Sequence, residues 1–208
     1  LEFAFSFMGG VYKQDLRDAD FIRHRVSIME VSFWERLKGD PKAFLVDGSK
    51  RLEEAGGMPK TGTGRCLKLE KAAVSLFTAA EKANSKLSTA EGTEKQRLRE
   101  IFYFSLGQLA AALQSLGEGL KLLNRDGMRG YVGMMRTNDS FEDALFGSKY
   151  ELLPSTAVAG FYGVVPVPAY VPDSKLKKFV SGRAECCLEY AKKLDQRIPS
   201  EKKKAFEP

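Results

Sequence analysis

Between residues 65 and 124 the apolar residues recur at helical spacing, and this pattern limits the chain to a body of long, packed helices. In the second half of the stretch Leu98, Phe102, Ser105, Leu109, Ala112, Leu116, Gly119 and Leu123 fall at alternating steps of four and three, with Leu106, Leu113 and Leu120 beside them. A stripe of that width suits a helix lying at a shallow angle on other helices. The first half repeats it with Leu69, Ala73, Leu76, Phe77, Ala80 and Leu87. The short break Ser88-Thr89-Ala90-Glu91-Gly92 leaves the two helices little choice but to pack antiparallel, and Thr93 with Gln96 three residues later reads as a capping box that restarts the helix.

Upstream, residues 13 to 38 read as a first long helix with Leu16, Ile22, Val26, Met29, Phe33 and Leu37 on one face, stopped by Gly39. Asp40-Pro41 then gives a cap followed by proline at the first helical position, and opens a shorter helix through Phe44, Leu45 and Leu52. Gly48 is expected to weaken that helix. Gly56-Gly57 closes it, and the glycine-rich residues 56 to 64 read as a flexible crossing. Ahead of these lies an N-terminal extension, 1 to 12. Its apolar start, Leu1 to Met8, is too short for a signal sequence or a spanning helix, and the start at Leu1 is that of a processed protein or a fragment.

Past Asn124 the helical periodicity gives way, and residues 125 to 173 read as an extended irregular strap. Its aromatic content argues against disorder. Leu152 to Pro172 carries no charged residue, while Pro154, Pro166, Pro168 and Pro172 exclude a membrane-spanning helix, because the backbone groups they free would go unsatisfied in lipid. An apolar ribbon of this kind lies on something, either its own bundle or another protein. The candidate partner-binding residues are Phe146, Tyr150, Phe161, Tyr162, Val164, Val165, Val167 and Tyr170. Asp173-Ser174 is expected to cap a last helix from 175 to 197, with Leu176, Val180, Ala184, Cys187, Ala191, Leu194 and Ile198 on one stripe and Pro199 at its end, leaving a charged tail to residue 208. The fold class expected is therefore all-α: an up-down four-helix-bundle-like core over 13 to 124, the strap, and an additional C-terminal helix and tail over 174 to 208.

Little in the sequence points to catalysis. The one histidine, His24, stands between Arg23 and Arg25 with no nucleophile or carboxylate placed near it, and reads as a residue at the edge of a helix face. Cys186 and Cys187 are adjacent on a helix, so their side chains diverge, and no Cys-x-x-Cys or second histidine completes a metal site. Cys66 could bridge to either of them in an oxidising compartment, or all three could be thiols in a reducing one. The stretch from Gly56 to Arg65 lacks the spacing and the preceding strand of a phosphate loop. Glu142-Asp143 is a carboxylate pair without defined geometry. No enzyme, metal or cofactor is expected.

The net charge of +6 arises from 33 basic and 27 acidic residues, most of them interleaved at helical spacing, which is the pattern of solvated helix faces. A second class of function remains in view on that charge: a basic organellar nucleic-acid- or ribosome-associated protein using Lys175, Lys177, Lys178, Arg183, Lys192, Lys193 and Lys202 to Lys204 on phosphates. A third is a lipid or pigment pocket lined by Trp34, Phe77, Phe102 and Phe104, against which plain core aromatics are the favoured reading.

The run LEKAAVSLFTAAEKAN from Leu69 to Asn84, followed by FYFSLGQLAAALQSLGEGL from Phe102 to Leu120, resembles the last two helices of the PsbQ-type extrinsic proteins of photosystem II. The likeness lies in the pattern and order of the residues and extends to the two helices ahead of the hairpin; the strap and the fifth helix have no counterpart in that family. The resemblance implies a non-catalytic structural or linker subunit in the chloroplast thylakoid lumen, without cofactor chemistry of its own. It would bind peripherally, without a transmembrane helix, to photosystem core or light-harvesting antenna subunits, and would touch pigment or lipid only through them.

Overall fold

The computed structural model describes residues 39–135, 139–146 and 172–199. The expected first helix at 13–38, the strap residues from 147 to 171 and the tail after Pro199 lie outside the described residues. What is described is all-helical: α1 (Pro41–Gly56), α2 (Thr63–Leu87), α3 (Gly92–Lys121), α4 (Arg125–Met134), α5 (Asp139–Phe146) and α6 (Asp173–Arg197).

α1 starts as its sequence dictates, with the Asp40 carboxylate accepting the Lys42 amide at 3.0 Å and Pro41 in the first turn. It does not falter at Gly48. The missing side chain lets α2 approach, since a Cβ at Gly48 would stand 2.5 Å from Leu76 Cγ and 3.1 Å from the Ala72 carbonyl oxygen. Close packing outweighs the modest helix-propensity cost of one glycine. At the far end of α1 the buried Arg65 donates from Nε to the Ala55 carbonyl at 3.3 Å, satisfying one of the acceptors that every helix leaves open at its C-terminus.

α2 packs between α1 and α3, and α6 lies along the other side of α3. Glu70 meets Arg183 and Glu81 lies near Tyr190, so α6 runs parallel to α2 and antiparallel to α3, which is up-down packing. The turn into α3 uses Gly92 at φ +55°, a left-handed conformation that glycine adopts most readily, and the helix starts there with Glu91 at its cap position and no side-chain cap bond; the Thr93 capping box does not form. The stripes read from the sequence are largely the buried ones, with Leu87 and Phe102 only half-buried. Leu69, Ala73, Leu76, Leu109, Ala112, Leu113 and Leu116 are fully enclosed, as are Leu176, Ala184 and Cys187 on α6. α6 begins at Asp173 with Pro172 as its cap residue, without the expected side-chain cap from Asp173 or Ser174.

Two short helices stand where the sequence reads as irregular chain. The Asn124 side chain caps α4 by accepting the Gly127 amide at 2.8 Å. Gly127 and Gly130, which hide the helical pattern, let α4 settle on Thr63 at the start of α2; the Thr63 hydroxyl donates to the Gly127 carbonyl at 3.2 Å. α5 follows, with Phe141 and Leu145 buried. Both pack against α2 and α6.

A buried ionic cluster joining four helices

Arg183, in the middle of α6, is 1% exposed, which is exceptional for a guanidinium. Four of its N–H donors are matched. Nε donates to the Tyr131 hydroxyl on α4 at 2.8 Å, and Nη2 donates to Glu70 Oε1 on α2 at 3.0 Å. The Glu142 carboxylate on α5 takes Nη1 at 2.8 Å and Nη2 at 2.7 Å in the bidentate geometry that suits a guanidinium. The Tyr131 hydroxyl in turn donates to Glu70 Oε2. Glu70 and Tyr131 are buried with Arg183, while Glu142 sits at the rim with its side chain 14% exposed. Around the cluster Phe77 and Phe141 meet edge-on, with centroids 5.6 Å apart.

The electrostatics follow from burial. Removal from water pushes the Glu70 carboxyl up, opposed by the Arg183 charge and by the hydrogen bond from Tyr131; the neighbouring Glu142 adds to the upward push. Burial also raises the Tyr131 phenol well above its usual value, and Glu70 raises it further. The guanidinium is held protonated: burial opposes its charge, but Glu70, Tyr131 and Glu142 more than offset it. Tyr131 is thus a fixed neutral donor and acceptor, and Arg183 a fixed cation. Apart from Glu142 at the rim, the cluster is enclosed by protein.

The raised Glu70 carboxyl gives a pH dependence of known sign. With its folded value above the unfolded one of about 4.3, the native state takes up this proton first. The stabilisation is therefore complete below about pH 4.3 and is lost as pH rises through the folded value. The advantage of the natural chain over Glu70→Gln is expected to grow as pH falls from about 7 towards about 4.3. Paired urea denaturations across that range check this; a constant difference would refute it.

A second, exposed ion set fixes the start of α6. Asp173 accepts Arg125 Nε at 2.7 Å and Arg129 Nη2 at 2.6 Å, tying α4 to the first turn of α6, and the two arginines hold its carboxyl below the usual range.

Cys66, Cys186 and Cys187 stand as free thiols, Cys66 and Cys187 buried. Burial pushes Cys66 up to about 11 and Cys187 higher still, so neither is a thiolate nucleophile near neutral pH. Among the described residues no group of three or more His, Cys, Asp and Glu side chains could hold a metal ion, and no helix is long and apolar enough to cross a membrane. Of the candidate phosphate-binding cations, Lys175, Lys177, Lys192 and Lys193 are exposed on α6, but Arg183 is inside the protein and is withdrawn from that set. Phe77 is a core residue, and Phe102 and Phe104 are half-buried against the core. His24, Trp34, Tyr150, Phe161, Tyr162, Val164, Val165, Val167 and Tyr170 lie outside the described residues, as does the Phe146 side chain.

Comparison with protein-family models, with curated proteins and with solved structures finds no match, so the meaning of this cluster rests on its own chemistry.

Proposed function

We propose that the chain is a non-catalytic linker subunit of a photosynthetic membrane complex, a photosystem or its antenna, bound peripherally on the lumenal side of the thylakoid and stabilising the association of neighbouring subunits. One observation carries the linker reading. The chain on each side of the charge-free run is fixed to one helical body, by Glu142 on Arg183 before it and by Asp173 on Arg125 and Arg129 after it. A 21-residue run without charge, lying in the sequence between two helices that dock on one body, is suited to covering an apolar surface of a neighbour. The placement in a photosynthetic complex is supported by the resemblance of the α2–α3 hairpin to the PsbQ-type proteins and by an all-helical body.

The test is digestion with a protease that cuts after aromatic residues, applied to the free chain and to the native complex recovered in mild detergent. Cleavage after Phe161, Tyr162 or Tyr170 is expected to be suppressed at least about tenfold in the complex relative to the free chain, as for a segment covered by its partner. Equal resistance in both states, or co-purification with nucleic acid in place of photosystem or antenna subunits, would overturn the reading.

A further inference from the structure

We propose that α5 is a detachable latch on the bundle, closed by the bidentate Glu142–Arg183 pair and able to open without unfolding the four long helices.

The geometry makes the two carboxylates unequal. Glu70 and Glu142 both reach Arg183 Nη2, so three charged side chains place two negative charges on one positive. One carboxylate is in excess. Glu70 is enclosed and is also held by the Tyr131 hydroxyl, whereas Glu142 lies at the rim and among these groups contacts the guanidinium alone. If Glu142 swings into water, Arg183 keeps Glu70 and Tyr131 as partners, and the buried remainder is a neutral ion pair. Glu70, enclosed on the central helix α2, has no such route to water. The cluster therefore has one exit that does not strand a buried ion, and it leads through α5.

α5 is also the element least able to hold its own place. At 8 residues it is well below the length at which a helix persists alone. Among its described side chains Phe141 and Leu145 are the buried apolar ones, and they pack towards α6 and α2. α4, by contrast, has Tyr131 at the centre of the cluster, the Asn124 cap, the Thr63 contact and the pairing of Arg125 and Arg129 with Asp173. The device rests on geometry within the described residues; with the linker function above, it would set when the end of α5 is free to meet a partner.

The experiment is native-state hydrogen exchange on the full chain and on Glu142→Gln, read by peptide. Glutamine keeps the shape but turns an amide N–H toward a guanidinium that can only donate. The expected result is exchange in α5 faster by at least about tenfold, with α2, α3 and α6 unchanged beyond about twofold. Phe141→Leu should speed the same peptides without touching the ion pair. Unchanged α5 exchange in Glu142→Gln, or acceleration of all helices in step, would overturn the latch and make Glu142 an ordinary contributor to global stability. Because this is read on the isolated chain, it can fail while the partner-protection test succeeds, and the reverse.

Discussion

Replacing Arg183 with methionine is expected to destabilise the chain by about 3–5 kcal/mol, because it removes the cation and leaves the enclosed Glu70 with only the Tyr131 hydroxyl. The lost packing contributes little, since methionine occupies much of the volume of the arginine stem. The main cost is an uncompensated carboxylate in the interior, part of which is relieved by protonation of Glu70. A set in which Arg183→Met is combined with Glu70→Leu, Glu142→Leu and Tyr131→Phe should recover most of the loss, because a packed apolar replacement of a buried ionic cluster is often neutral or stabilising. Urea denaturation measures both, provided that the slope with denaturant is unchanged so that the midpoint reports stability. A loss below about 1 kcal/mol in the single variant would mean that water already reaches Arg183.

That pair of variants also separates stability from specificity. Arg183 gathers side chains from α2, α4 and α5 onto α6, and each must sit in one register for the hydrogen bonds to form. The apolar set keeps the burial but has no such directional demand. If it folds with α5 free to exchange, the cluster's role is to position the short helices; if α5 stays protected, Phe141 and Leu145 hold it unaided.

The fold was largely legible in the sequence because α2, α3 and α6 bury stripes of aliphatic residues at regular spacing, and such stripes need no further information to be read. α4 was not legible, since Gly127, Gly130 and Gly133 remove the side chains by which periodicity is recognised; the contact of Gly127 and Gly130 with Thr63 is visible only in three dimensions. The cluster left a signal that could have been read. Arg183 falls three residues after Val180 and four before Cys187, on the buried stripe of α6, and Glu70 falls four after Cys66 and three before Ala73 on that of α2. Opposite charges on two core stripes point to a pair, whereas reading Arg183 by its charge alone placed it among surface cations. The partners on α4 and α5 could not be found in this way, because tyrosine and glutamate in a glycine-broken stretch carry no period.

The same logic gives the second large effect, at Gly48 and Gly117. A Cβ at Gly117 would stand 2.7 Å from Leu188 Cγ and 2.9 Å from the Ala184 carbonyl oxygen, as one at Gly48 would crowd Leu76 and the backbone of α2. Helix propensity favours replacing either glycine, by about 1 kcal/mol for alanine. Steric cost opposes it. A leucine tip can turn aside, but a carbonyl oxygen in mid-helix moves only with its helix, and overpacking of this kind costs about 1–3 kcal/mol or more. Gly48→Val and Gly117→Val should each lose about 3 kcal/mol, since the branched side chain adds two methyl groups at the tightest point. The alanine variants should lose less, with the propensity gain offsetting part of the clash. Gly92→Asn serves as the control: its φ is +55°, a conformation that asparagine tolerates, and nothing lies within 4 Å of the added Cβ, so its stability should change by well under 1 kcal/mol. Thermal and urea unfolding of the set gives the ranking. A stabilised Gly117→Ala or Gly48→Ala would show that the interhelical spacing yields by several tenths of an ångström, and that α1 and α6 are held to the bundle less closely than these contacts require.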